Sequence, residues 1–177
     1  MEFARWSKRS SLDNPELFSK MFSKILTKKK LSATVRCLKA RGKRVAFTNG
    51  TFDISHLGHV TYLQKARAYA DVLIVGVNTD RSVRTYKDPT RPVNPQQDRI
   101  KVLTALACVD YAILFNEPTP LKLIQAIKPD VLVKGADWSV KDIVGAREVM
   151  SWGGRVKRIP LVNGRSSTRV IKILKLA

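Results

Sequence analysis

Histidine is nearly missing from this chain of 177 residues: it has two, three residues apart in GTFDISHLGH at residues 50–59. Cysteine is as scarce. Cys37 and Cys108 lie far apart, each in an apolar helical pattern, so reduced and buried thiols are expected rather than a disulfide framework. No apolar run reaches about 18 residues, which excludes a hydrophobic membrane-spanning helix. The opening MEFARWSKRSSLDNPELFSK lacks an apolar core followed by small residues, so no secretory signal is read there and a cytoplasmic location is expected. Acidic residues are few, 14 against 33 Lys and Arg, leaving a net charge of +19. Residues 1–44 alone carry 13 basic and 3 acidic side chains. Such a field attracts nucleotides, sugar phosphates, nucleic acid or an anionic membrane surface without choosing among them, and it also suits a merely solvated segment.

What the chain has in quantity is alternation. RVAFTN (44–49), DVLIVGV (71–77), YAILF (111–115), DVLVKG (130–135) and RVKRIPLV (155–162) read as short strands. The middle three are almost continuously apolar, as strands covered on both faces should be. Helical patterns lie between them. Val60, Leu63 and Ala66 recur at helical spacing within 58–70. In NPQQDRIKVLTALA, Asn94 is placed to cap, Pro95 to take the first helical position and Gln97 to close a capping box. Thr119 and Pro120 open a helix that Pro129 stops, and Ser139 with Asp142 opens one that Gly153 and Gly154 end. A last helix follows residues 166–168, and residues 16–42 predict a helix or two packed beside the core. The pattern predicts an α/β fold: a mostly parallel five-stranded sheet with right-handed crossovers and helices on both faces.

In such folds ligands bind outside the carboxyl ends of the strands, and GTFDISHLGH leaves the first strand at that end. Gly50 lets a phosphate approach the backbone, and Gly58 stands at a helix start, where free N–H groups and the dipole favour an anion. His56 and His59, one turn apart, can face the same way and donate to phosphate oxygens as charge builds on a phosphorus centre and its leaving pyrophosphate. Zinc would need a third ligand beyond Asp53. A nucleophilic triad has only Ser55 beside His56 to recommend it, and two structural histidines are the plainest alternative.

GTFDISHLGH resembles the GxFDxxHxGH signature of the cytidylyltransferase-like nucleotidyltransferases, Rossmann-like enzymes that move a nucleoside monophosphate from a triphosphate onto a phosphorylated alcohol, sugar or vitamin. The similarity runs on through DVLIVGVNTDRSV, RPVNPQQDRIKVL, VLVKGADW and GRSSTRVIKIL, over residues 24–175. There it is most like the subgroup that adenylylates D-glycero-β-D-manno-heptose 1-phosphate. The resemblance implies a nucleotidyltransferase domain over 45–177, preceded by a basic N-terminal extension with helical segments over 1–44. It implies that His56 and His59 stabilise the transferred phosphoryl group and pyrophosphate, with Lys87 on a mobile loop and Arg99 on a helix reaching phosphates. Thr48, Asn49, Gly50, Thr51, Phe52, Asp53 and Gly58 match the strand-end turn that meets the nucleotide. Lys134, Gly135 and Asp137 match the segment lining base and ribose, and Ser166, Ser167 and Thr168 match a hydroxyl-rich helix start that holds the β- and γ-phosphates, with Arg165 and Arg169 as basic neighbours.

The chain departs from the subgroup at Thr51, commonly cysteine, and at Ser55, commonly leucine. Leu161 stands where glycerol-phosphate relatives carry an arginine, which argues against that branch. The implied reaction is in-line attack by the acceptor's phosphate oxygen on the α-phosphorus of ATP, with Mg²⁺ held mostly by phosphate oxygens and water. Bifunctional relatives join such a domain to a sugar kinase, so a separate kinase is expected to supply the substrate here, and a homodimer is a common assembly. Alternatives are ATP- or CTP-dependent transfer to another acceptor such as glycerol 3-phosphate, or a nucleic-acid-binding module using the basic N-terminus.

Overall fold

The computed structural model describes Ser19, residues 23–162, Gly164 and residues 166–174. Residues 1–18 and 20–22 of the basic extension, Arg165 and the side chain of Arg169 therefore lie outside the described residues. Five strands form one sheet: β1 (Val45–Gly50), β2 (Val72–Asn78), β3 (Tyr111–Phe115), β4 (Val131–Gly135) and β5 (Arg155–Ile159). All pair in parallel, in the order β3-β2-β1-β4-β5. That is the Rossmann-like arrangement expected, with the strand order reversing between β1 and β4.

Each strand divides its side chains between two cores. Val45, Phe47, Val72, Ile74, Ile113, Phe115 and Leu132 point to one face, where they meet α1 (Lys28–Ala40), α5 (Leu121–Ile127) and α6 (Ala146–Ser151). Ala46, Leu73, Val75, Val77, Ala112, Val131 and Val133 point to the other, against α2 (Leu57–Arg67) and α4 (Gln96–Ala105). The period of two along a strand makes both faces apolar, which is why these segments are so nearly continuous in apolar residues. The short α3 (Asp80–Arg84) and the terminal α7 (Ser167–Leu174) complete the order.

The segment before β1 belongs to this packing from residue 24 onward. Leu26 N donates to Ala112 O at 2.8 Å and Ala112 N to Lys24 O at 2.9 Å, so Ile25 covers the β3 edge of the sheet. Leu31 and Val35 of α1 are buried at one-turn spacing; Cys37 falls off that stripe and is exposed, and Cys108 is half-buried, so the thiols are not the buried pair expected.

Three helix starts differ from the sequence reading. Pro95 is itself the N-cap of α4 and supplies no side-chain cap, while the Asn94 side chain donates from Nδ2 to Asp53 O at 2.6 Å. Likewise Pro120 caps α5, one residue later than expected, while Lys128 in left-handed geometry before Pro129 ends it as foreseen. The helix expected from Ser139 to Gly153 is broken. Ser139 caps a 3₁₀ turn, Val140–Asp142; the chain then buries Ile143 and turns at Gly145, with φ of 86°, before α6 begins. A Cβ at Gly145 would lie 2.5 Å from Ile124 Cδ1, so close packing and backbone both demand glycine. α3 was not anticipated; Thr79 caps it, accepting from Ser82 N at 3.2 Å.

Candidate functional site

The cleft lies where β1 and β4 part. Their pairing register covers Ala46↔Val131 and Phe47↔Leu132, and beyond it the carboxyl ends of the two strands flank a cavity of about 690 Å³. That size suits a nucleotide-sized ligand. From the end of β1 and the turn after it, Asn49, Gly50, Thr51, Phe52 and Asp53 line it; from the cap and first turn of α2, His56, Gly58 and His59; from β4 and its exit, Lys134, Gly135 and Asp137; and from the start of α7, Ser166, Ser167 and Thr168. Lys87 joins them from the segment after α3.

The turn is built tightly. Phe52 has φ of 49°, a left-handed conformation rare for an aromatic, and its ring folds back so that a Cβ on Gly50 would sit 3.1 Å from it. The same ring meets His59 edge-on, 5.3 Å between centroids. His56 is the N-cap of α2 and His59 lies in its first turn, with the imidazoles stacked 3.9 Å apart at 21°. Both rings therefore stand over the helix amino end, whose first N–H groups have no partner within the helix. Burial, then the neighbouring His56 and Lys87, pull the His59 pKa down to about 4 against the opposing charge of Asp53. At neutral pH that ring is uncharged, and its Nδ1 is enclosed without a partner among the described residues.

Asp53 anchors the far side. Burial would raise its pKa, but the N–H groups of Asn94 and Val93 and the Arg91 guanidinium outweigh that and hold it low. Asn94 N donates to Oδ1 at 2.9 Å and Arg91 Nε to Oδ2 at 2.7 Å. Lys87 is lowered by burial and by Arg91, with Asp53 opposing. The residue before it, Tyr86, shares a 2.8 Å hydrogen bond with Thr51 Oγ1, which ties the lysine-bearing segment to the β1 turn. Across the cleft Lys134 Nζ donates to Asn49 O at 3.3 Å, and burial pulls its pKa down to about 8 with Asp137 opposing. A Cβ on Gly135 would collide with Asp137 Oδ1, so glycine is required for that carboxylate to fold back. Ser167 Oγ donates to Ile54 O at 3.1 Å, fastening α7 to the loop that carries His56.

Two expected residues stand off the cleft wall. Thr48 is fully buried and shares a 2.7 Å hydrogen bond with Tyr62 OH, so it supports the floor. Arg99, expected to reach phosphates, is 1% exposed. Its guanidinium donates to Thr51 O, to Asn78 O at 2.7 Å and to Asp80 Oδ1 at 2.8 Å, while Nε donates to Asn94 O at 3.0 Å. Its donors are spent on three backbone carbonyls beneath the turn and on the Asp80 carboxylate. Conversely, Tyr62, Tyr86, Trp138 and Val144 line the cleft without having been singled out, and they are joined by Arg91 and by Leu161, the position noted above as a departure from the glycerol-phosphate relatives. Arg91 meets Asp53 across 38 positions, and no local pattern marks such a pair. The exposed Trp138 on the mouth carried a signal: a large apolar side chain between a predicted strand and a predicted helix start.

The cytidylyltransferase-like family model matches residues 47–173. Among curated proteins, the bifunctional protein HldE of Syntrophotalea carbinolica is 49% identical over 150 residues, 85% of this chain and 31% of that protein. Its namesake from Geobacter metallireducens is 50% identical over 146 residues, 82% of this chain and 30% of that protein. The chain thus spans about a third of the length of these relatives. Among solved structures, a lipopolysaccharide core biosynthesis protein from Thermoplasma volcanium aligns with a TM-score of 0.56 at 29% identity, over 68% of this chain and 98% of that one. A pantoate-beta-alanine ligase from Francisella tularensis, with TM-score 0.60 over 86% of this chain and 77% of that one, is 19% identical and shares the fold.

Proposed function

The chain belongs to the cytidylyltransferase-like family, and from that membership we propose that it is an adenylyltransferase acting on a sugar phosphate, D-glycero-β-D-manno-heptose 1-phosphate. A phosphate oxygen of the sugar attacks the α-phosphorus of ATP in line, the α–β bridging bond breaks, pyrophosphate leaves and ADP-heptose forms. The observation that carries this reading is the stacked pair of imidazoles over the amino end of α2, at the switch point of the sheet. A phosphate monoester is already an anionic nucleophile, so the site has to position it and stabilise charge rather than abstract a proton.

In this reading His56 and His59 donate to the transferred phosphoryl group and the departing pyrophosphate. An approaching anion raises the low His59 pKa, so the ring is more readily protonated, and donates from both nitrogens, as negative charge develops. Lys87 neutralises phosphate charge from the Thr51-tethered segment, and Gly50, Phe52 and Gly58 bring backbone to the triphosphate. Ser166, Ser167 and Thr168 hold its far end, while Lys134, Gly135 and Asp137 line base and ribose. Arg99 acts through Thr51, whose carbonyl it holds. Asp53 is committed to Arg91 and Asn94, so an Mg²⁺ accompanying ATP would be held by phosphate oxygens and water, and when bound it would neutralise developing charge. A sugar kinase acting beforehand makes the 1-phosphate, and the product suits assembly of a heptose-containing glycan such as lipopolysaccharide.

The test is pyrophosphate release with Mg²⁺, ATP or CTP, and a panel of phosphorylated acceptors. Release confined to ATP with the heptose 1-phosphate is expected, and His59→Ala should lower turnover about 100–1,000-fold, as loss of one donor to developing charge does. Release with another acceptor would move the chain to a sister branch of the family. Near-normal turnover in folded His59→Ala would end the role given to the histidines.

A further inference from the structure

Arg91 sits on the cleft wall, 8% exposed, in an ion pair with the buried Asp53. The simplest role for such a pair is to staple residues 91–94 to the β1 turn, and one nitrogen suffices for that: Nε donates to Asp53 Oδ2 at 2.7 Å. The other carboxylate oxygen is taken by Asn94 N at 2.9 Å. Nη2 is left enclosed, with no partner among the described residues. Arginine does not shed its proton to escape such a position, and an enclosed donor on a charged group without an acceptor is costly. The staple therefore does not account for the whole side chain. What it lacks is an acceptor oxygen, and the residue itself lines the cleft, on the wall shared with Lys87 and His59.

We propose that Arg91 is a further phosphate-binding residue of this cleft: fixed through Nε by Asp53, it presents Nη2 to an oxygen of a bound phosphate. Clamping one edge of a planar guanidinium orients its remaining donors before the ligand arrives, which lowers the ordering cost of binding. The cations around the position also favour an anion over a neutral hydroxyl, since the charge of Arg91 bears on Lys87 and Asp53 offsets only one of the two. The phosphate is either the polyphosphate tail of the nucleotide or the monoester of the acceptor. That assignment rests on the nucleotidyl-transfer reading; the existence of the anion site does not.

The decisive experiment titrates the full chain calorimetrically with pyrophosphate and, separately, with inorganic phosphate. Wild type is compared with Arg91→Ala and Arg91→Lys, and Arg91→Ala is repeated with millimolar guanidinium chloride. Loss of a hydrogen bond to a charged group predicts affinity for at least one anion weaker by about 10-fold or more in Arg91→Ala, partly restored by guanidinium. Arg91→Lys keeps the charge without the spare nitrogen, should fold in any case, and should stay weakened. A residue that only staples would lower the thermal midpoint yet leave both affinities unchanged in folded protein, and that result overturns the proposal. In steady state, a raised KM for ATP alone assigns Nη2 to the nucleotide, and a raised KM for the sugar phosphate alone assigns it to the acceptor. No turnover by wild type with any nucleotide and acceptor would defeat the reaction while the titrations still decide Arg91.

Discussion

Burial sets charge at the residues that matter most. His59 is held at about 4 in the folded chain against an ordinary 6.5, because its ring is desolvated beside His56 and Lys87. Between those two values the unfolded chain binds more protons than the folded one, so stability rises with pH across the window and is lost as pH falls from 6.5 toward 4. His59→Gln removes that contribution. Thermal unfolding followed from pH 7 to pH 5 should therefore show a smaller drop in midpoint for the variant than for wild type, and equal drops would mean that His59 titrates ordinarily. Lys134 follows the same logic at the other end of the scale: pulled down to about 8 by burial, it still carries most of its charge at neutral pH. Cations that are poorly hydrated before a ligand arrives lose little hydration when an anion does.

Among the elements, the β1 turn depends on partners remote in sequence. Arg99, from α4, gathers the carbonyls of Thr51 after β1 and Asn78 at the end of β2, together with Asp80 at the start of α3. One side chain thereby registers two strand ends and two helices around the left-handed Phe52. Arg99→Leu strands those acceptors in a buried place, and breaking such a pair costs about 3–5 kcal/mol. For a chain of this size that is a fall in thermal midpoint of roughly 10 °C, readable by calorimetry without substrate. A midpoint unchanged within about 2 °C would show that the turn holds without it. Thr51 and Tyr86 join a third element in the same way, since the hydroxyl bond brings the Lys87 segment to the turn.

Across the whole molecule, 33 basic residues against 14 acidic ones surround a cleft that itself gathers cations. The field should speed capture of an anionic nucleotide, and salt should erase the gain, since the Debye length falls from about 10 Å at 0.1 M to 3 Å at 1 M. kcat/KM for ATP is expected to fall with added KCl while kcat holds; a salt-independent kcat/KM would show that the net charge serves something else. Much of this architecture was legible in the chain itself. YAILF is β3 to the residue, the other strands lie within a few residues of their predicted spans, and the parallel sheet with two apolar faces followed from alternation. Those features are local: periodicity of two, periodicity of 3.6 and stop signals act between near neighbours. The misread features are not local. Asn94 reads as a cap and instead bonds Asp53; Ser139 reads as the start of a long helix that burial of Ile143 interrupts; Cys37 turns outward because α1 buries a narrower stripe. GTFDISHLGH by its own composition determined where an anion could be met, because glycines, a helix start and both imidazoles are neighbours in the chain. Which cations flank that place, and which hold the backbone behind it, was decided only in three dimensions, where Arg91 meets Asp53 and Arg99 meets Thr51 across 38 and 48 positions.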